Sequence, residues 1–148
     1  MGITGSDILN IDSLGQITEV HGSIQNNASN LMNINGRSNL TEIEGSLGIT
    51  FSLINHSITL PSLAEVGGNF EITSSATSYL FNSLSSINGN LVIHHYEGNT
   101  ATFDFNSLTH IGSNITLIGS IFDLNIFLLL TVIHGSFEIS LNYSFPSI

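Results

Sequence analysis

A segment of about 23 residues recurs six times along the chain, and no other feature restricts its fold as much. The clearest copy reads Leu60-Pro61-Ser62-Leu63-Ala64-Glu65-Val66-Gly67-Gly68-Asn69-Phe70-Glu71-Ile72. The next reads Phe81-Asn82-Ser83-Leu84-Ser85-Ser86-Ile87-Asn88-Gly89-Asn90-Leu91-Val92-Ile93, and a third begins at Phe105 and runs to Leu117. Aligned on one small residue, the copies are anchored at Gly22, Gly45, Gly68, Gly89, Ser113 and Gly135, with spacings of 23, 23, 21, 24 and 22.

Each column of the repeat has a physical meaning. Two and four residues after the anchor stand Phe70/Ile72, Leu91/Ile93, Ile115/Leu117 and Phe137/Ile139. This alternation puts both side chains on one face of a short strand, with Glu71, Val92, Thr116 and Glu138 on the other. Ile58/Leu60, Tyr79/Phe81 and Phe103/Phe105 alternate likewise and predict a second strand. Between the two, Leu63 and Val66 and their equivalents point inward from a tight corner. The anchor glycine is expected to supply a backbone conformation that a Cβ would penalise. Asn69, Asn90 and Asn114 beside it are expected to stack from coil to coil, their amides capping backbone groups. No segment sustains apolar positions at helical spacing for three turns.

A single coil cannot bury its apolar face, so the copies must stack into parallel sheets around a shared core. The sequence therefore predicts one all-β domain over residues 1–148, a parallel β-solenoid of about six coils of 21–24 residues, with partial coils at 1–10 and 141–148. Apolar residues make up 41% of the chain, enough for such a core, while charged residues make up 8%. The net charge is −10 and Arg37 is the only Lys or Arg, so nucleic-acid binding and peripheral membrane binding are not expected. The apolar stretch from Ile115 to Ile133 is interrupted by Asp123 and Asn125, and the repeat accounts for it without membrane insertion. No Cys is present, and residues Met1 to Ser6 carry neither a basic region nor an apolar run, so no signal peptide is visible.

The pattern L-x-x-I-x-G-[NS]-L-x-I, seen from Leu84 to Ile93, resembles the repeat of receptor L domains. It is also similar to repeats of fungal GPI-anchored wall proteins and bacterial leucine-rich surface proteins. The resemblance spans roughly Ile11 to Ile139 and implies a right-handed solenoid with a leucine-rich-repeat character, extracellular or at the cell surface, and non-enzymatic. Its motif contains core and turn positions only, so no ligand contact carries over. The chain departs from it in having no Cys to staple the ends and no evident capping helix.

The two ends of the chain carry a signal of their own. Phe145-Pro146-Ser147-Ile148 matches Leu60-Pro61-Ser62-Leu63, and Met1-Gly2-Ile3-Thr4-Gly5-Ser6 matches Ala64-Glu65-Val66-Gly67-Gly68-Asn69. Read from the end of one copy into the start of another, the repeat continues. Met1, Ile3, Gly5, Phe145, Pro146 and Ile148 are therefore expected at a head-to-tail interface of the chain with itself. A segment of a longer tandem array, or frayed end coils, would also account for the match.

Other candidate sites are few. Glu19, Glu42 and Glu65 share the column three before the anchor, a carboxylate ladder that could hold Ca²⁺ or could be three solvated surface glutamates. His94-His95-Tyr96-Glu97 is the densest polar cluster, but adjacent strand residues face opposite ways, so the two imidazoles need a turn to chelate one metal. His21 and His134 share a column at opposite ends of the stack. No Gly-x-Ser-x-Gly elbow occurs, and Asp12, Asp104 and Asp123 fall in different columns, so neither acyl transfer nor paired-carboxylate chemistry is expected. The column five after the anchor (Asn27, Thr50, Thr73, His94, Ile118, Ser140) is not the Thr array of an ice-binding face. Five Asn-x-Ser/Thr sequons, at Asn27, Asn39, Asn55, Asn114 and Asn142, match what Asn and Ser/Thr abundance produces by chance, and Asn114 sits in the turn ladder. The expected function is a non-catalytic structural repeat protein that assembles end to end into an extracellular filament or surface layer, without a required cofactor. The second expectation is a recognition or adhesion module of a larger cell-surface protein, binding a protein or glycan on a sheet face.

Overall fold

A computed structural model describes residues 2–4, 14–27, 37–50, 57–96, 101–119 and 124–141. Sixteen strands, numbered in chain order, form three parallel sheets among these residues. The longest sheet has seven strands: β1 (Gly2–Thr4), β3 (Ile24–Asn27), β5 (Leu47–Thr50), β8 (Phe70–Ser74), β11 (Leu91–His95), β14 (Ile115–Gly119) and β16 (Phe137–Leu141). The second has six two-residue strands: β2 (Glu19–Val20), β4 (Glu42–Ile43), β7 (Glu65–Val66), β10 (Ser86–Ile87), β13 (His110–Ile111) and β15 (Val132–Ile133). The third has three: β6 (Ser57–Thr59), β9 (Ser78–Leu80) and β12 (Thr102–Asp104). A 3₁₀ turn covers Leu124–Phe127.

The chain is thus an all-β parallel solenoid. Strand register follows the repeat: Phe70 pairs with Leu47 and Leu91, and Ile72 with Ile49 and Ile93. The stack makes about four full turns, fewer than the six coils expected, because the third side carries described strands only on three middle windings. The expected corner is itself a sheet. Tight turns such as Leu60–Leu63, closed by Leu63 N–H donating to the Leu60 carbonyl, leave two residues free to pair with the windings above and below.

The apolar columns converge on one interior. Leu47, Phe70, Leu91 and Ile115 from the long sheet, Ile43, Val66, Ile87 and Ile111 from the short-stranded sheet, and Ile58 and Tyr79 from the third are almost fully buried. Stacking aligns like with like. The Phe81 and Phe105 rings lie 5.2 Å apart nearly parallel, Phe70 meets Phe81 edge-on at 4.9 Å, and Tyr79 stacks on Phe103 at 4.5 Å. Such contacts add to area burial because ring edges and faces carry opposite partial charge.

The anchor glycines have a different cause from the one expected. None of Gly45, Gly68, Gly89 or Gly135 takes a positive φ; the only described glycine that does is Gly119, at 146°. What a side chain meets instead is the winding next to it. A Cβ on Gly45 would lie 2.7 Å from the carbonyl carbon of Gly22, and one on Gly89 would lie 2.7 Å from the carbonyl oxygen of Gly68. Glycine is required here by close backbone approach rather than by conformational freedom.

Candidate functional site

The polar side chains that the repeat turns toward its own backbone form a continuous ladder. One residue after each anchor stand Ser23, Ser46, Asn69, Asn90, Asn114 and Ser136. Ser46 N–H donates to Ser23 Oγ at 3.0 Å, and Asn69 N–H to Ser46 Oγ at 3.0 Å. Asn90 and Asn114 each donate both backbone N–H and Nδ2 to the Oδ1 of the preceding member, at 3.0–3.1 Å. Ser136 continues it, its N–H and Oγ–H both donating to Asn114 Oδ1 at 2.8 and 3.0 Å. The stacking expected of the three asparagines holds, and serine extends it both ways. The sequon at Asn114 lies within this ladder.

On the outer side of the short-stranded sheet, Glu19 pairs in register with Glu42, and Glu42 with Glu65, so the carboxylate column is real. Among the described residues, however, no three His, Asp or Glu side chains form a group able to hold a metal ion. Asn88 contacts the column, and a His21–Glu44 contact stands beside it. Asn88 Nδ2 donates to Glu65 Oε1 at 3.0 Å, and His21 Nδ1 lies 2.7 Å from Glu44 Oε1. The contact with Glu44, supported by the charges of Glu19 and Glu42, raises the His21 pKa above 6.5. At the other end of this face the His110 and His134 rings lie 5.1 Å apart, far from His21 in the stack.

His94 and His95 face opposite sides, as strand geometry requires. His94 is partly exposed and its ring lies 4.9 Å from that of Tyr96. His95 is buried; its Nδ1 lies 3.0 Å from Tyr79 Oη, which also donates to the Ser74 carbonyl at 3.1 Å. Burial pushes the Tyr79 pKa up to about 12. Tyr79 and His95 therefore form a packed polar element of the core, and His94 and His95 do not converge on one ion.

At the N-terminal end the register departs from the one expected. Gly2, Ile3 and Thr4 pair with Gln25, Asn26 and Asn27, which places Ile3 in the column of Ile49 and Ile72. The sequence match had aligned Ile3 with Val66, in the short-stranded sheet. For Gly2–Thr4, pairing along the long sheet outweighs a match over a few small residues. Met1, Gly5, Phe145, Pro146 and Ile148 lie outside the described residues.

The last described winding differs from all others. Phe137 and Ile139 on β16 occupy columns that are at most 1% exposed in every earlier described strand of the long sheet from β3 on, yet here they are 45% and 38% exposed. Leu128 and Leu129, in the turn after the 3₁₀ segment, are 70% and 55% exposed. This surface, an apolar stripe along a parallel edge strand, went unread in the sequence. The columns assigned Phe137 and Ile139 to the core, and only the position of β16 at the edge of the sheet exposes them.

Two interior residues break the apolar pattern. Asn26 stands where later windings have Ile49 and Ile72, and it is fully buried. Arg37 stands where they have Leu60 and Phe81, and it is 2% exposed. Among the described residues, Asn26 Oδ1 and Nδ2 and both terminal nitrogens of Arg37 have no hydrogen-bond partner. Desolvation lowers the Arg37 pKa to about 10. The signal was present in the sequence: Arg37 precedes Leu60 by one repeat length, and Asn26 precedes Ile49 by the same. No helix among the described residues is long and apolar enough to cross a membrane. No family model, curated protein or solved structure matches this chain.

Proposed function

We propose that this is a non-catalytic structural repeat protein whose windings associate end to end with those of a second copy. The observation that carries the reading is the exposed β16 surface, where Phe137 and Ile139 present columns that elsewhere are sealed by a following winding. An edge strand with free backbone groups and an apolar stripe is a template for one more parallel strand. The occupant best matched to it is another winding of the same repeat, because only that supplies apolar residues at the same two-residue alternation. The ladder adds a second match. Ser136 Oγ donates downward to Asn114, which leaves its lone pairs facing the position a next backbone N–H would take.

The contact is heterologous, one end against the other, and so extends rather than closes. An acidic surface, with the single Lys or Arg buried at Arg37, suits an extracellular or cell-surface scaffold, consistent with the receptor-L-domain-like motif. Sedimentation and electron microscopy test the reading. The wild-type chain is expected to form end-to-end oligomers that lengthen with concentration, and the Phe137→Lys/Ile139→Lys variant to stay monomeric with unchanged β-sheet circular dichroism. A wild-type monomer at millimolar concentration, or unaltered assembly in the variant, would refute it.

A further inference from the structure

We propose that the interior of the N-terminal windings binds a small carboxylate-type oxyanion, held by the Arg37 guanidinium and the Asn26 carboxamide. The site does not depend on end-to-end association, since both residues are interior.

Both residues belong to the winding that leaves the anchor Gly22 and returns to Gly45. Asn26 lies on the inner face of β3, two residues beyond the buried Ile24. Arg37 opens the turn closed by the Leu40 N–H donating to the Arg37 carbonyl, as Leu60 and Phe81 open theirs. In a later winding Phe70, the counterpart of Ile24, touches Phe81, the counterpart of Arg37, and Asn26 lies two residues beyond Ile24 on the same inner face. A guanidinium and a carboxamide of one winding are thus both enclosed in the apolar interior.

A guanidinium keeps its charge at neutral pH even with its pKa lowered to about 10. A buried charge without a partner is costly, and a protein interior holds one only when an opposite charge or strong hydrogen bonds accompany it. No described carboxylate contacts Arg37, and desolvation alone accounts for its shift. The planar fork of the guanidinium matches two oxygens of a carboxylate rather than a spherical ion. The carboxamide adds a neutral donor, since its Nδ2, which has no hydrogen-bond partner among the described residues, can donate to the anion. With Leu60 fully buried and Leu14 packed against the core beside this column, formate and acetate, the smallest carboxylates, are the guests to test.

The test is thermal unfolding of the wild type and Arg37→Leu in sodium formate, acetate or chloride at constant ionic strength. Leucine already occupies this column at positions 14 and 60, so the variant is expected to fold. Formate and acetate should raise the wild-type midpoint saturably, by about 3–5 °C at tenfold excess over the dissociation constant. Arg37→Leu should show no such rise. Equal shifts in both proteins overturn the site, and an equal wild-type response to chloride overturns its carboxylate selectivity. Calorimetric titration of formate into the wild type and Asn26→Leu reads the same contact without unfolding. Saturable heat lost or weakened at least tenfold in the variant supports the assignment, and a wild type that never saturates refutes it.

Discussion

At the residue scale, the ladder through Asn69, Asn90 and Asn114 couples each winding to the next by side-chain oxygens that accept backbone N–H groups. Asn90→Ala removes the acceptor of the Asn114 N–H and leaves that partly buried group without a partner. Its expected cost is about 1–3 kcal/mol in denaturant unfolding. The exposed His21–Glu44 contact is a spectroscopic reporter rather than a source of stability. Its His21 pKa is raised, so its small contribution is present below about pH 6.5 and is lost as pH rises through the raised value. Proton NMR titration should place the His21 midpoint above 6.5, and Glu44→Gln should lower it. Tyr79 and His95 illustrate the opposite use of polarity, since their contact is buried and closes the core beside Ser74.

At the element scale, a strand's worth depends on what lies on both sides of it. Leu91 on β11 is sealed between Phe70 and Ile115, whereas Phe137 on β16 pairs with Ile115 on one side only. Leu91→Ala is therefore expected to destabilise the monomer by about 2–5 kcal/mol, as deletions in close-packed cores do. Phe137→Ala, in the same column, is expected to cost under about 1.5 kcal/mol in the dilute monomer while weakening association, since half of that ring already faces solvent. Urea unfolding at low concentration, compared with sedimentation at high concentration, separates the two effects. Gly89 belongs to this scale as well. A Cβ there would press on the backbone of Gly68, so the distance between adjacent windings, and not the glycine's own torsions, sets the residue type.

At the scale of the whole molecule, the outermost described strands of the long sheet are unlike, and the chemistry of the core changes along the axis. Aromatic rings from Phe70 to Phe137 fill the later windings, while the first described windings hold Ile24, Asn26 and Arg37. Of the outermost strands, β1 is three residues long, whereas β16 is five residues long and carries the exposed apolar stripe. A head-to-tail contact between unlike ends makes a specific demand on mixtures. Under the proposed end-to-end assembly, the Phe137→Lys/Ile139→Lys variant keeps its N-terminal end, so it should add to a growing chain but not be extended. Substoichiometric amounts should shorten wild-type assemblies in electron micrographs. Unchanged lengths would mean that the β16 surface is not the site of growth.

The repeat alone determined the parallel stacking, the inward columns and the asparagine ladder, because each winding must bury its apolar residues against an equivalent copy and the period defines which residues meet. Tertiary structure decided what the period leaves open. It put a sheet where a corner was expected and shifted Ile3 into the column of Ile49. It also assigned the glycine column to close backbone approach and exposed Phe137 by leaving β16 at an edge. Burial of Arg37 and Asn26 was written in their spacing, but only the packed interior revealed that both lack partners. Register and period are local properties that sequence carries; contact and exposure depend on which neighbours are present.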